Sequence, residues 1–247
     1  MCGIAGSFGP RQIGGDRVEA CLALMRRRGP DHAAAWRSIT PAGEHLVLLH
    51  SRLSIIDLDP RSHQPFHHGC ATLVFNGELY NYLELRGMLE AGGSRFRTCS
   101  DTEVLAEAVT RWGWEEALER AEGMWALAHY DSLGGVLTLC RDRFGEKPLY
   151  WMRQQDNLYF GSEVKFLFAL AGRQRPVNMN QIRRFLVYGY KSLYKRKETF
   201  FEGVRELPPA TLLRLGGRRR AQMRRYWAPS LAIEPEMSFE QAVAGVR

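Results

Sequence analysis

Residues 124–162 read MWALAHYDSLGGVLTLCRDRFGEKPLYWMRQQDNLYFGS. Four apolar runs stand in this stretch, at 124–130, 136–141, 149–153 and 158–162, each of strand length and each separated from the next by polar or glycine-bearing residues. Gly134-Gly135 between the first two is a hairpin signal. Strands at hairpin spacing pair antiparallel. With helical patterns on either side in the chain, they predict layered α+β architecture and exclude a doubly wound parallel sheet. Upstream, further strand-like runs occur near 45–56 and 72–76. Helical spacing is seen at 16–27 (Val18, Cys21, Leu22, Met25), at 82–91 and at 102–112, with Val104, Leu105, Ala108 and Val109 facing inward. Arg28-Gly29-Pro30-Asp31 stops the first helix. Downstream, a helix is expected over 180–188. Leu207-Pro208-Pro209 breaks the chain before a strand at 211–215, and Gly216-Gly217 turns into a second strand ending at Trp227. Ser238, with Gln241 three residues on, opens a helix that runs to the end of the sequence.

With 247 residues, 45% hydrophobic and 25% charged, the chain has ordinary globular usage, which excludes disordered, fibrous and coiled-coil classes. The net charge of +7 is uneven. Residues 173–225 hold 15 basic side chains against three acids, a local +12 that leaves −5 for the remainder. No nucleic-acid motif accompanies this stretch, so a solvated or protein-docking face is expected there and nucleic acid is not. No apolar run has membrane length, no signal peptide is visible, and the five cysteines (Cys2, Cys21, Cys70, Cys99, Cys140) show no Cys-x-x-Cys pair. A cytoplasmic location with no membrane association, no disulfide framework and no metal is therefore expected.

Several residues allow chemistry, each beside a plainer reading. Loss of Met1 would give Cys2 both a thiol and an α-amine. The amine, with a reference pKa of about 7.7–8.0, can act as base for its own nucleophile; otherwise Cys2 is an ordinary early cysteine. Asn76-Gly77 is a turn dipeptide, but it also sets a side-chain amide beside an unhindered backbone N–H, as an oxyanion hole requires. Ser100-Asp101-Thr102-Glu103 has the form of a capping box. Arg52, inside an apolar strand, needs a partner: a structural carboxylate, or a ligand carboxylate held by both arms of the guanidinium. The charged residues of 141–150 suggest a salt-bridged hairpin, or a surface facing a product exit or a neighbouring domain.

Taken in order, Met1-Cys2-Gly3-Ile4-Ala5-Gly6, Arg28-Gly29-Pro30-Asp31, the Arg52 segment, Phe75-Asn76-Gly77-Glu78-Leu79-Tyr80-Asn81, Ser100-Asp101-Thr102-Glu103 and the 141–150 run resemble the glutaminase domain of glutamine-hydrolysing asparagine synthetases, within the class II glutamine amidotransferases. The resemblance continues through Ser162-Glu163-Val164-Lys165, Phe201-Glu202-Gly203-Val204 and Leu207-Pro208-Pro209, covering nearly the whole chain. It implies an N-terminal nucleophile hydrolase: a four-layer αββα sandwich of two antiparallel sheets. It further implies that Cys2 attacks the amide of L-glutamine, that Asn76 and Gly77 hold the oxyanion, and that Arg52, with backbone groups of Leu53, Ser54, Ile55 and Ile56, grips the substrate carboxylate. Glu78 and Asp101 match the groups that hold its ammonium.

Two departures stand out. Ala34 replaces a glycine common in the family, and no Ser-Gly-Gly-x-Asp-Ser loop for ATP occurs in the sequence. The resemblance thus divides the chain into an amidotransferase core (1–172), its basic C-terminal extension and connector (173–229), and the start of an absent synthetase domain (230–247). No cofactor is expected here. ATP and Mg belong to the missing synthetase domain, which with its aspartate would be the partner, and a homodimer is a further possibility. The expected activity is glutamine hydrolysis with ammonia passed on for asparagine synthesis. The alternatives are a different acceptor (sugar, nucleotide or secondary metabolite) or a catalytically silent glutamine-binding module.

Overall fold

Side chains alternate across each strand, and here both faces of each sheet are covered, so the alternation sorts apolar residues between two cores. Ile4 faces one core and Ala5 another; Leu46 and Leu48 part from Val47 and Leu49 in the same way. This is why the strands read as continuous apolar runs rather than as polar–apolar alternation. The computed structural model describes residues 1–190, 198–216, 221–230 and 237–245. The arginine run 218–220 and the second half of the Gly216-Gly217 turn lie outside them, as do parts of the basic stretch and of 230–247.

In chain order the elements are β1 (Gly3–Gly9), α1 (Gly15–Met25), β2 (His32–Ile39), β3 (His45–Arg52), a short 3-10 turn (Pro60–Ser62), β4 (Phe66–His68), β5 (Ala71–Leu79), α2 (Tyr82–Ala91), α3 (Asp101–Arg120), β6 (Gly123–Asp131), β7 (Val136–Arg141), β8 (Tyr150–Gln154), β9 (Asn157–Gly161), α4 (Val164–Ala171), α5 (Met179–Tyr188), β10 (Val204–Glu206), β11 (Thr211–Gly216), β12 (Gln222–Arg225) and α6 (Phe239–Gly245). Two antiparallel sheets result, ordered β10-β8-β9-β1-β3-β2 and β12-β11-β7-β6-β5-β4. Helices α1 and α4 cover the first through Val18, Cys21, Met25, Phe166, Leu167 and Leu170. Helices α2 and α3 cover the second through Leu85, Leu89, Val104, Leu105 and Ala108. Between the sheets Ile4, Leu48, Val74, Tyr130, Leu139 and Phe160 interdigitate. The layers run α, β, β, α, the expected sandwich.

The quoted stretch forms its four strands within a residue or so of expectation, and β6 and β7 pair across the loop holding Gly134-Gly135, with Asp131 opposite Val136. The expected helix 102–112 ends at a kink at Gly113 (φ 77°), beyond which α3 resumes to Arg120. Ser238 and Gln241 form a reciprocal capping box: Gln241 N–H donates to Ser238 Oγ at 3.2 Å, and Ser238 N–H to Gln241 Oε1 at 2.7 Å. Strands β1, β2, β4 and β10 and helix α4 were not visible in the sequence patterns. β1 is glycine-rich for a packing reason. A Cβ on Gly6 would lie 2.3 Å from the Phe160 ring and 2.5 Å from the Val47 carbonyl oxygen, so the central strand of the first sheet sacrifices β propensity for close approach.

Candidate active site

Pairing of Gly3 with Ser51 in the β1–β3 ladder carries Cys2 to the end of β3, beside Arg52 and Leu53. The Cys2 thiol donates toward the Leu53 carbonyl at 3.6 Å, and the Leu53 N–H approaches Sγ at 3.4 Å. Arg28 Nε donates to the Cys2 carbonyl at 2.9 Å and is itself anchored by Glu163 at 3.1 Å. Burial pushes the Cys2 thiol above its ordinary pKa, and the Leu53 N–H and the Arg52 charge offset this only in part. A neutral thiol needs a base to become a nucleophile.

The second sheet supplies the facing wall through the part of β5 that runs on beyond its pairing with β4, which ends at Leu73. Trp125 opposes Gly77 in the β5–β6 register. Its N–H donates to the Asp142 carboxylate at 3.2 Å, and its carbonyl accepts the Asp142 N–H at 2.9 Å. Both Trp125 backbone groups therefore point away from β5, so Gly77 and Trp125 are a non-hydrogen-bonded pair and Gly77 turns its N–H outward. Its neighbours along that edge are taken. Phe75 N–H donates to Gln64 Oε1 at 2.6 Å, and Leu79 N–H to the Asp101 carboxylate at 3.1 Å. Among the described residues no hydrogen bond takes the Gly77 N–H between them, and next to it the buried Asn76 Nδ2 has no partner there either. A buried amide donor without an acceptor costs about 1–3 kcal/mol, and two such donors side by side can both donate to one oxygen atom. Only glycine fits there: a Cβ at 77 would sit 2.3 Å from the Met124 carbonyl oxygen.

Arg52 is buried at the opposite end. Its guanidinium donates to the carbonyls of Ile56 (3.2 Å), Asp57 and Asp59 (3.3 Å) and to His63 Nδ1 at 2.9 Å. The structural carboxylate entertained for it is absent among the described residues; loop carbonyls hold it instead, and its positive charge remains unneutralised. His63 stacks on His32 with ring centroids 3.7 Å apart. Burial, then the neighbouring His32 and Arg52 charges, lower the pKa of His63, which keeps Nδ1 an acceptor. His50, wholly buried and pushed down to about 3 by burial, bonds the Phe75 carbonyl through Nε2 at 3.1 Å. A carbonyl only accepts, so Nε2 carries the proton, and this bond ties β3 to β5 directly behind Asn76.

Ser100 Oγ caps α3 by accepting the Thr102 N–H at 3.1 Å. Glu103 does not close the expected box. Its buried carboxylate turns to the N–H groups of Arg97 and Thr98 and to the Thr98 hydroxyl. Asp101 is thereby left at the helix start, 5% exposed, with burial raising its pKa to about 6 against hydrogen bonds from Leu79, Thr102 and Ser100. The 141–150 run is no salt-bridged hairpin either. Asp142 collects the N–H groups of Trp125, Phe144, Glu146 and Lys147, while Arg141 serves the carbonyls of Gly145, Lys147 and Leu207 and pairs with Glu206.

These groups enclose a cavity of about 110 Å³. Cys2, Arg52, Leu53, Ile55, Ile56, Asn76, Gly77, Glu78 and Asp101 all line it. Ser54 does not; its N–H is spent on the Asp31 carboxylate at 2.7 Å. Met1, Phe75, Ser100 and Thr102, neighbours in sequence of the expected residues, line it too, as do Ser62, Gln64 and Lys147, which are not. Lys147 was within sight, inside the 141–150 motif, whereas Ser62 and Gln64 lie in an irregular loop that carries no periodic signal. Among the described residues no group of three or more His, Cys, Asp or Glu could hold a metal ion, and no helix is long and apolar enough to cross a membrane.

A family model described as a glutamine amidotransferase domain matches residues 1–227. The chain is 31% identical to asparagine synthetase [glutamine-hydrolyzing] 3 of Bacillus subtilis over all of its own length and 40% of that protein. It is 32% identical to amidase chry2 of Gibberella zeae over 94% of the chain and 34% of that protein. It thus spans well under half the length of these relatives. Among solved structures, the glutamine phosphoribosylpyrophosphate amidotransferase of B. subtilis superposes with a TM-score of 0.66 at 19% identity, over 94% of this chain and 50% of that one, a likeness of fold.

Proposed function

Because the chain belongs to the glutamine amidotransferase family, we propose that it hydrolyses the side-chain amide of L-glutamine with Cys2, freed of Met1, as an N-terminal nucleophile. The observation that carries this is the meeting, in one cavity, of the Cys2 thiol with the two unspent donors at Asn76 and Gly77. The Cys2 α-amine takes the thiol proton as sulfur attacks the amide carbon, and the oxyanion of the tetrahedral intermediate accepts from Asn76 Nδ2 and Gly77 N–H, each worth about 3–4 kcal/mol in comparable sites. The amine returns the proton to the departing nitrogen, so ammonia leaves and a thioester remains. Water, deprotonated by the same amine, attacks the thioester, giving glutamate and restoring the thiol. At the other end the unneutralised Arg52 and the backbone of Leu53, Ile55 and Ile56, without that of Ser54, receive the α-carboxylate, while Glu78 and Asp101 receive the α-ammonium. One cation, two anions and an oxyanion pocket match a zwitterion carrying an amide.

The acceptor of the ammonia is of the asparagine synthetase type, and the ATP, Mg and aspartate belong to a synthetase portion other than residues 1–247; similarity over all 247 residues to the B. subtilis protein of that name supports this. The direct test is release of glutamate and ammonia from glutamine by the purified protein, with intact mass showing loss of Met1. Binding of glutamine without turnover, or full activity with Met1 retained, would overturn the proposal.

A further inference from the structure

Lys147 is a buried cation, 8% exposed, on the cavity wall. Its backbone is fixed: the N–H donates to Asp142 at 3.0 Å and the carbonyl accepts from Arg141 Nε at 2.8 Å. Its ammonium, however, has among the described residues a single polar contact, Met1 Sδ at 3.7 Å, and no carboxylate. A thioether is a poor acceptor for an ammonium ion, and a buried unpaired charge is costly enough that the fold seldom keeps one without use. Met1 is the residue whose removal the proposed mechanism requires. When it goes, the ammonium loses its contact and faces the space where the Cys2 α-amine now ends. Only the methionine side chain and one carbonyl carbon separate Sδ from the Cys2 nitrogen, so Nζ lies within about 10 Å of it.

We propose that Lys147 is the positioning residue that holds the Cys2 α-amine in its unprotonated, proton-accepting form near neutral pH. This rests on the amidotransferase reading of the site. The other charges facing Cys2 do not fill this role. Arg28 is committed to the Cys2 carbonyl and to Glu163, which also pairs with Lys165. Arg52 also lowers the Cys2 thiol, but its guanidinium is enclosed by loop carbonyls and His63 and is kept for the substrate carboxylate. Glu78 and Asp101, on the β5 and α3 walls, are anions that favour a protonated amine until the substrate ammonium occupies them. Lys147 stands beside Met1, the residue before Cys2, and the carboxylate packed against its own backbone, Asp142, is spent on the N–H groups of Trp125, Phe144, Glu146 and Lys147. A cation there lowers the affinity of both the amine and the thiol for protons, so the coupled pair moves in one direction whichever group is assigned the midpoint. At about 10 Å and an effective dielectric near 20–40, the shift is about half to one pH unit.

The experiment is the pH dependence of iodoacetamide alkylation of Cys2, followed on the N-terminal peptide of the processed protein, for wild type, Lys147→Met, Lys147→Gln and Lys147→Arg. No glutamine is present, so titration of Asp101 through substrate binding does not enter. The expected result is a midpoint about half to one unit higher in the two neutral variants and restored in Lys147→Arg, with kcat/KM for glutamine at pH 6.5 down about 3- to 10-fold and near wild type at pH 9. Unchanged midpoints in both neutral variants, or an equal activity loss at every pH, would overturn the inference while leaving glutamine hydrolysis standing. Wild type that keeps Met1 and turns over no glutamine would instead bring down the functional reading. Should Lys147→Met fail to fold, Lys147→Gln carries the same comparison.

Discussion

The two ends of the cavity are built by different means. The end that holds Cys2, Asn76 and Gly77 is made of strands: β1 and β5 come from different sheets, and His50 bonds one sheet to the other behind them. Each reactive group sits there because a ladder register places it. The end that holds Arg52 is a loop wound about a guanidinium, with three carbonyls and one imidazole as its contacts. Ladder geometry is stiff and suits bond-making, where an ångström decides rate. A loop gathered by one charge can adjust to a ligand, and suits binding. Substitutions at the first end should therefore act on kcat, and those at the second on KM.

The largest effect is expected from Cys2→Ala, which removes the nucleophile: hydrolysis should fall by about 10⁴-fold or more, with glutamine binding by calorimetry retained. Residual turnover near wild type would locate the nucleophile elsewhere. Asn76→Ala takes away one of two oxyanion donors, and kcat should drop about 10²- to 10³-fold with KM little changed. A change in KM alone would mean that the amide acts in ground-state binding. Across the cavity, Arg52→Lys keeps the charge but cannot serve three carbonyls and a carboxylate with one ammonium. KM should rise about 10-fold or more while kcat stays within about twofold, and an equal loss in kcat would erase the distinction between the ends.

The sequence disclosed the two ends unequally, for the same physical reason. β6 to β9 announced themselves because four short apolar runs follow one another at hairpin spacing, bounded by polar and glycine-bearing residues; the equally apolar 164–171, without such spacing, is the helix α4. Cys2, Asn76, Gly77 and Asp101 stood in recognisable local contexts. β1 stayed hidden because close packing against Phe160 imposes glycine where β propensity would favour branched residues. The partners of Arg52 stayed hidden for a different reason: backbone carbonyls have no residue type, and only the folded loop reveals that Ile56, Asp57 and Asp59 face inward. Glu103 misled for a related cause, since a carboxylate three residues after a cap can serve the preceding loop as well as the helix start.

A pH experiment sharpens the comparison at the binding end. Burial raises Asp101 to about 6 in the empty site. Its folded pKa is above the unfolded carboxylate value, so the protonated form is favoured by folding, and apo stability should decline as pH rises from about 4 through 6. Binding has the opposite demand, because the ammonium of glutamine needs the ionised form. Below pH 6, KM should rise about tenfold per unit, beside the loss in kcat/KM that protonation of the Cys2 amine brings over the neutral range, and Asp101→Asn should flatten the KM dependence at a uniformly high KM. A flat KM in the wild type would mean that Asp101 does not hold the ammonium.

The smallest effect tests whether the loop end is as adjustable as its construction implies. His63 Nδ1 is one of four acceptors around Arg52, and its ring is held in plane by stacking on His32. His63→Leu removes that acceptor and leaves the three carbonyls. One hydrogen bond to a charged donor is worth about 1.5–3 kcal/mol, and a loop free to shift should recover part of it. KM should therefore rise only about 3- to 10-fold, with kcat and its pH profile unchanged. If the rise matched that of Arg52→Lys, the guanidinium would have a single permitted orientation set by the stacked histidines. The binding end would then be as rigid as the strands that face it, and its four contacts would act as a unit rather than as replaceable partners.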